Sequence, residues 1–122
     1  MSYAVSFDEV GHILYLTRTG HVSMDEMYKS VSMIFSDERI NSIHKILNDL
    51  SKADLRDVSL ERIETYGEFV REKFEDKDIY LAIVAPSDLV FGLSRMFEAF
   101  SELRIMVFRD KEQAVEWLEQ YP

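Results

Sequence analysis

Three histidines, His12, His21 and His44, are the only imidazoles in the chain. None stands at the i, i+4 spacing that puts two metal ligands on one helix face. Cysteine is absent, which excludes disulfides, thiolate metal sites, iron–sulfur centres and cysteine nucleophiles together. Asn48, Asp49, Asp54 and Asp57 offer oxygens of the kind hard cations prefer. Their spacing matches no calcium loop, however, and Lys52 and Arg56 are interleaved among them, so a solvated, turn-forming acidic loop is expected. Neither a Gly-x-Ser-x-Gly elbow nor a glycine-rich phosphate loop occurs. Without a nucleophile beside a base, no enzyme is expected, and neither a metal nor a cofactor. One anion site is conceivable. Pro86-Ser87-Asp88 follows an apolar run and opens a helix, whose free N–H groups can hold an anion, with Arg95 two turns along. Ser87 or Asp88 would serve equally as a cap for those donors.

Composition narrows the classes further. The 122 residues carry a net charge of −9, and 47% are apolar, enough to build the core of a single domain spanning 1–122. The acidic balance argues against nucleic acid or an anionic membrane as partner, since both need clustered positive charge. Met1 to Val10 holds no basic residue, so no secretory signal is expected. The longest apolar run, Ile79–Ala85, is far short of the roughly 20 residues that span a bilayer. A cytoplasmic protein without a membrane span is the expectation.

The elements that would position these residues follow from periodicity. Tyr3–Phe7 and His12–Arg18 read as strands, with Asp8-Glu9-Val10-Gly11 turning between them and Gly20 ending the second. Ser23 with Glu26 forms a capping box for a helix carrying Met24, Met27, Tyr28, Val31, Ile34 and Phe35 on one stripe. Ile43–Leu50 is a third strand. Ser59 caps a second helix to about Phe74, with Leu60, Ile63, Gly67, Val70 and Phe74 inward. Ile79–Val84 lacks polar alternation and reads as a strand buried on both faces. A third helix covers Leu89–Phe100, Leu103–Phe108 forms the last strand, and Asp110 with Gln113 caps a final helix bearing Ala114, Trp117, Leu118 and Tyr121. The order ββαβαβαβα implies an α/β fold with a mainly parallel mixed sheet, flanking helices and an antiparallel first strand.

Two stretches, Ile83-Val84-Ala85-Pro86-Ser87-Asp88-Leu89-Val90-Phe91-Gly92-Leu93-Ser94-Arg95-Met96-Phe97 and Val107-Phe108-Arg109-Asp110 with Ala114-Val115-Glu116-Trp117-Leu118, add a resemblance. With that element order, the chain resembles bacterial SpoIIAA-like proteins of the STAS/Sec14-type group, many of them uncharacterised. The resemblance implies a βα superhelix with a small mixed sheet. In the anti-anti-sigma branch a serine at the start of the helix after the third strand is phosphorylated, within an Asp-Ser-Ser-Gly-type loop. Here that loop reads Ala53-Asp54-Leu55-Arg56-Asp57-Val58-Ser59-Leu60, without the double serine or the glycine, and Ser59 is the candidate in place. A phosphate there would meet the helix N-terminus and Arg62. The Sec14-like side implies instead a carrier or sensor of an apolar, lipid-like ligand, its pocket between the third helix and the sheet and lined by Tyr66, Phe91, Met96 and Phe97.

The third helix carries more apolar surface than one contact face needs. With Leu89 at zero and about 100° per residue, Leu93, Met96 and Phe100 cluster inward. Val90 and Phe97 then fall at a right angle and Phe91 opposite, while Gly92 and Ser94 permit close approach. Cover from a second subunit is one answer, and cover from the last helix through Trp117 and Tyr121 is another. The expected function is a non-catalytic module acting through protein–protein contact, a homodimer or a regulatory complex, with Val90, Phe91, Ser94 and Phe97 at the interface. The carrier of an apolar small molecule is the alternative.

Overall fold

In the second strand the alternate residues Leu14, Leu16 and Arg18 are buried, whereas the first, at the sheet edge, buries none fully and leaves Val5 exposed. The computed structural model describes residues 3–8 and 12–122. In chain order it has β1 (Tyr3–Asp8), β2 (Ile13–His21), α1 (Met24–Ser36), a short 3₁₀ turn (Glu38–Ser42), β3 (Lys45–Asp54), α2 (Leu60–Phe74), β4 (Tyr80–Val84), α3 (Asp88–Ser101), β5 (Ile105–Phe108) and α4 (Lys111–Glu119). The expected turn residues Glu9, Val10 and Gly11 lie outside the described residues.

The five strands lie side by side in chain order. β1 runs antiparallel to β2, and the pairs β2–β3, β3–β4 and β4–β5 are parallel. Three successive crossovers step in one direction across the sheet, so right-handed connections put α1, α2 and α3 on the same face. That face holds the larger core, which includes Leu14, Leu16, Ile46, Ile83, Val31, Ile63 and Phe97. On the other face α4 sets Ala114 and Leu118 against Ile13, Leu47, Ala82 and Val84. Tyr80 stacks on Tyr121, and Trp117 packs edge-on to both, closing that layer.

Each helix starts where its cap residue is. Ser23, Ser59, Ser87 and Asp110 accept from the backbone N–H of Glu26, Arg62, Val90 and Glu112 respectively, satisfying donors that the first turn leaves free. The partner of Asp110 is thus Glu112, not Gln113.

Several expected boundaries are displaced. β2 continues through Gly20 to His21 and β3 through to Asp54, because Thr19, Gly20 and His21 pair with Lys52, Ala53 and Asp54 beyond a register shift after Thr17. Gly20 adopts φ 71° inside the strand, a left-handed backbone that a side chain disfavours. Ile43 and His44 precede β3 and do not belong to it. On α2, Leu60 is exposed and Tyr66 takes its place in the buried stripe.

On α3 the wheel is turned. Leu89 is 52% exposed, while Val90, Leu93, Ser94, Phe97 and Ser101 face inward. The seat of this helix is α2. A Cβ on Gly67 would lie 3.1 Å from the Cβ of Phe100 and 3.3 Å from the backbone N of Ser101, so glycine is what lets the two backbones approach. Gly92, the expected point of close approach, has open space around it.

Candidate functional site

Strand alternation places Leu14, Leu16 and Arg18 of β2 on one face of the sheet, under the three helices. The outcome at Arg18 is unusual for a charged side chain: it is 1% exposed. Its Nη2 donates to Ser30 Oγ at 2.7 Å, and that hydroxyl in turn donates to the carbonyl of Met27. Its Nη1 is buried without a hydrogen-bond partner. On β3, Asn48 sits opposite Leu16 in register, one diagonal step from Arg18, and its Oδ1 is likewise buried and unpartnered.

Both groups line a cavity of about 80 Å³ between the sheet and the helices. Its walls are otherwise almost wholly apolar: Met27, Val31 and Ile34 from α1, Ile63, Tyr66 and Val70 from α2, and Leu93, Ser94 and Phe97 from α3. Tyr66 is wedged edge-on to Tyr28 and against Phe97. Burial pushes its phenol above the ordinary tyrosine range, with the charge of Arg18 and a hydrogen bond from its side chain pulling the other way. Buried polar atoms are nearly always satisfied by protein or water; here two without a protein partner belong to residues that line one apolar space.

The residues singled out from the sequence fall in different places. Val90, Ser94 and Phe97 are 4%, 4% and 8% exposed within the chain itself. The expected surface excess of α3 is therefore already covered by α2 and the sheet, and these three side chains do not present an outer face. Phe91 is half-buried, with the Arg109 guanidinium 4.2 Å above its ring. Of the four residues expected to line an apolar pocket, Tyr66 and Phe97 do so, whereas Phe91 and Met96 do not. Ser87 is occupied as the cap of α3 and Arg95 pairs with Glu98. The cation that reaches the Pro86–Asp88 segment is Arg109, bonded to the Pro86 carbonyl and the Asp88 carboxylate. Ser59 is exposed at the start of α2, its Oγ accepting from Arg62 N.

The acidic residues near β3 are spoken for one by one. Asp54 holds Arg56 through both oxygens, Asp57 contacts His21 at 2.7 Å, and Asp49 accepts from Ser51 N. The Arg56 guanidinium holds the Asp54 carboxyl below its ordinary range. Among the described residues, no three His, Asp or Glu side chains converge as a metal cluster, and no helix is long and apolar enough to cross a membrane.

From the sequence Arg18 is not singled out, and Asn48 is placed in a solvated acidic loop, whereas Asn48 belongs to β3 with its amide oxygen buried. The signal was present in the period-two run Leu14, Leu16, Arg18, which assigns the arginine to the core face.

No family model and no curated protein matches the chain in sequence. Solved structures do match. An uncharacterised protein of the DUF3478 family with a SpoIIAA-like fold, from Shewanella loihica PV-4, is similar over 95% of this chain and 91% of its own, at a TM-score of 0.62 and 18% identity. The anti-sigma factor antagonist SpoIIAA in its unphosphorylated form is similar over 98% of both chains, at a TM-score of 0.66 and 9% identity. The five-stranded mixed sheet with its flanking helices is a SpoIIAA-like fold.

Proposed function

We propose that the protein is a non-catalytic, cytoplasmic module that binds a small amphipathic molecule in the cavity beneath α1, α2 and α3. The observation that carries this reading is the buried, unpartnered Nη1 of Arg18 in an otherwise apolar chamber. Apolar walls with a few convergent polar groups are the usual form of a small-molecule site. The test is thermal denaturation of the full chain against a panel of small apolar acids, alcohols and amides. A ligand that binds only the folded state raises the melting temperature with its concentration. At least one compound is expected to do so, and Val31→Phe, which fills the chamber, should abolish the shift. A panel without effect on the wild-type protein overturns the reading.

Contact with a protein partner is the second reading, supported by the exposed Leu89 on α3 and by the likeness to an anti-sigma factor antagonist. The partner is then a regulatory protein or a second copy of the chain. A homodimer would scatter light as a particle near twice 14.3 kDa, and Leu89→Asp with Phe91→Asp should return it to monomer. A wild-type monomer at high concentration ends the homodimer. If Ser59 is a phosphorylation site, Ser59→Ala and Ser59→Asp will differ in partner binding.

A further inference from the structure

A guanidinium is charged at every pH at which proteins fold. In an apolar interior such a charge is tolerated when an anion or a full set of acceptors faces it. The chain has 23 acidic residues, yet among the described residues no ion pair includes Arg18. What the chain supplies is neutral, the Ser30 hydroxyl on Nη2 and the Tyr66 phenol beside the guanidinium, while Nη1 has no hydrogen-bond partner and Arg18 lines the cavity. The missing complement is negative.

We propose that the cavity takes a short-chain monocarboxylate. One carboxylate oxygen accepts from Arg18 Nη1. The other accepts from the Asn48 amide, whose terminal torsion turns freely enough to present its NH₂ in place of the oxygen. The alkyl part lies against Val31, Ile63, Leu93 and Phe97. This rests on the cavity being a ligand site, as proposed above, and adds the chemical class of the ligand. Two features of the chamber select that class. One guanidinium nitrogen is free and the surrounding walls are apolar, so a monoanion is neutralised where a phosphate dianion would leave a charge unpaired. The volume, about 80 Å³, is close to half of the roughly 150 Å³ apolar cavity that admits benzene. It therefore fits a carboxylate with a few carbons and not a long acyl chain.

The experiment is an amide-shift NMR titration of the full chain with acetate, propionate, butyrate, hexanoate and octanoate, each beside the primary alcohol of the same length. Wild-type protein is expected to prefer the acid over its alcohol by at least about tenfold, the discrimination that one charge-assisted hydrogen bond supplies. Affinity should peak at acetate or propionate and fall by hexanoate. In Arg18→Met the preference should collapse to within about twofold, by loss of that same bond. Equal binding of acid and alcohol by the wild-type protein overturns the carboxylate assignment while leaving the cavity a ligand site. Binding of neither overturns both. Acid preference undiminished in Arg18→Met places the anion elsewhere and overturns the assignment. The wild-type comparison alone decides if the variant fails to fold.

Discussion

The same substitution, glycine to alanine, should have opposite effects on two neighbouring helices. In a helix interior alanine is favoured over glycine by about 0.8–1 kcal/mol, because the glycine backbone has more freedom to lose. Gly92 on α3 has open space where a Cβ would go, so Gly92→Ala should keep that gain in full. For a chain of this size the melting temperature would rise by about 3–5 °C. At Gly67 on α2 the new methyl would meet Phe100 Cβ at 3.1 Å, Ser101 N at 3.3 Å and Phe100 C at 3.4 Å. These are backbone and Cβ atoms of α3, which cannot rotate away as a side-chain tip would, so α3 must shift as a body. Overpacking of this kind costs about 1–3 kcal/mol. Set against the propensity gain, the net effect of Gly67→Ala is a loss of about 1 kcal/mol. Urea denaturation of both variants and the wild type measures the difference directly, with unchanged m-values as the check that the unfolded state is the same. Gly67→Ala stabilising as much as Gly92→Ala would refute the reasoning, for α3 would then not be seated on α2 at that residue.

Two further outcomes follow from the other layer and from the surface. Leu118 is one of the two fully buried side chains of α4, so Leu118→Ala should cost about 2–5 kcal/mol in urea denaturation; a loss below about 1 kcal/mol would show that α4 is not anchored there. Hydrogen bonds from Arg39 hold the Asp37 carboxyl down to about 2, so its contribution to stability is present above its ordinary pKa and is lost as pH falls toward the folded-state value. NMR titration should find that low midpoint in the wild type and a return toward 3.8 in Arg39→Ala; a wild-type midpoint near 3.8 would contradict the pairing.

Local chemistry was legible in the sequence where it is decided locally. Ser23 and Ser59 cap the helices expected of them, and of the two candidates Ser87 and Asp88 it is Ser87 that caps α3, since a cap depends on residues within one turn. The unbroken apolar run through Ile79–Val84 marked the most buried strand correctly, because no polar residue interrupts it. What the sequence hid is decided by distant partners. Thr19, Gly20 and His21 are polar and read as a strand exit, yet they extend β2 because Lys52, Ala53 and Asp54 lie alongside. On α3 two stripes overlap, one through Leu89 and one through Val90. Helical periodicity alone does not choose between them; the notch at Gly67 on another helix does. Arg18 reads as solvated, as a charged residue near a strand end ordinarily is; α1 through Ser30 and α2 through Tyr66 close over it.

The order in which the strands lie has a consequence for how the sheet is made. Each strand from β2 onward settles beside the one synthesised just before it. No gap has to be held open for a segment still inside the ribosome, and no later strand must thread between two already joined. The sheet can lengthen at a single growing edge as the polypeptide emerges, with α1, α2 and α3 each roofing the newest pair in turn. Only the last helix, crossing to the opposite side, must await completion of the edge at β5, which makes its docking the natural final event of assembly.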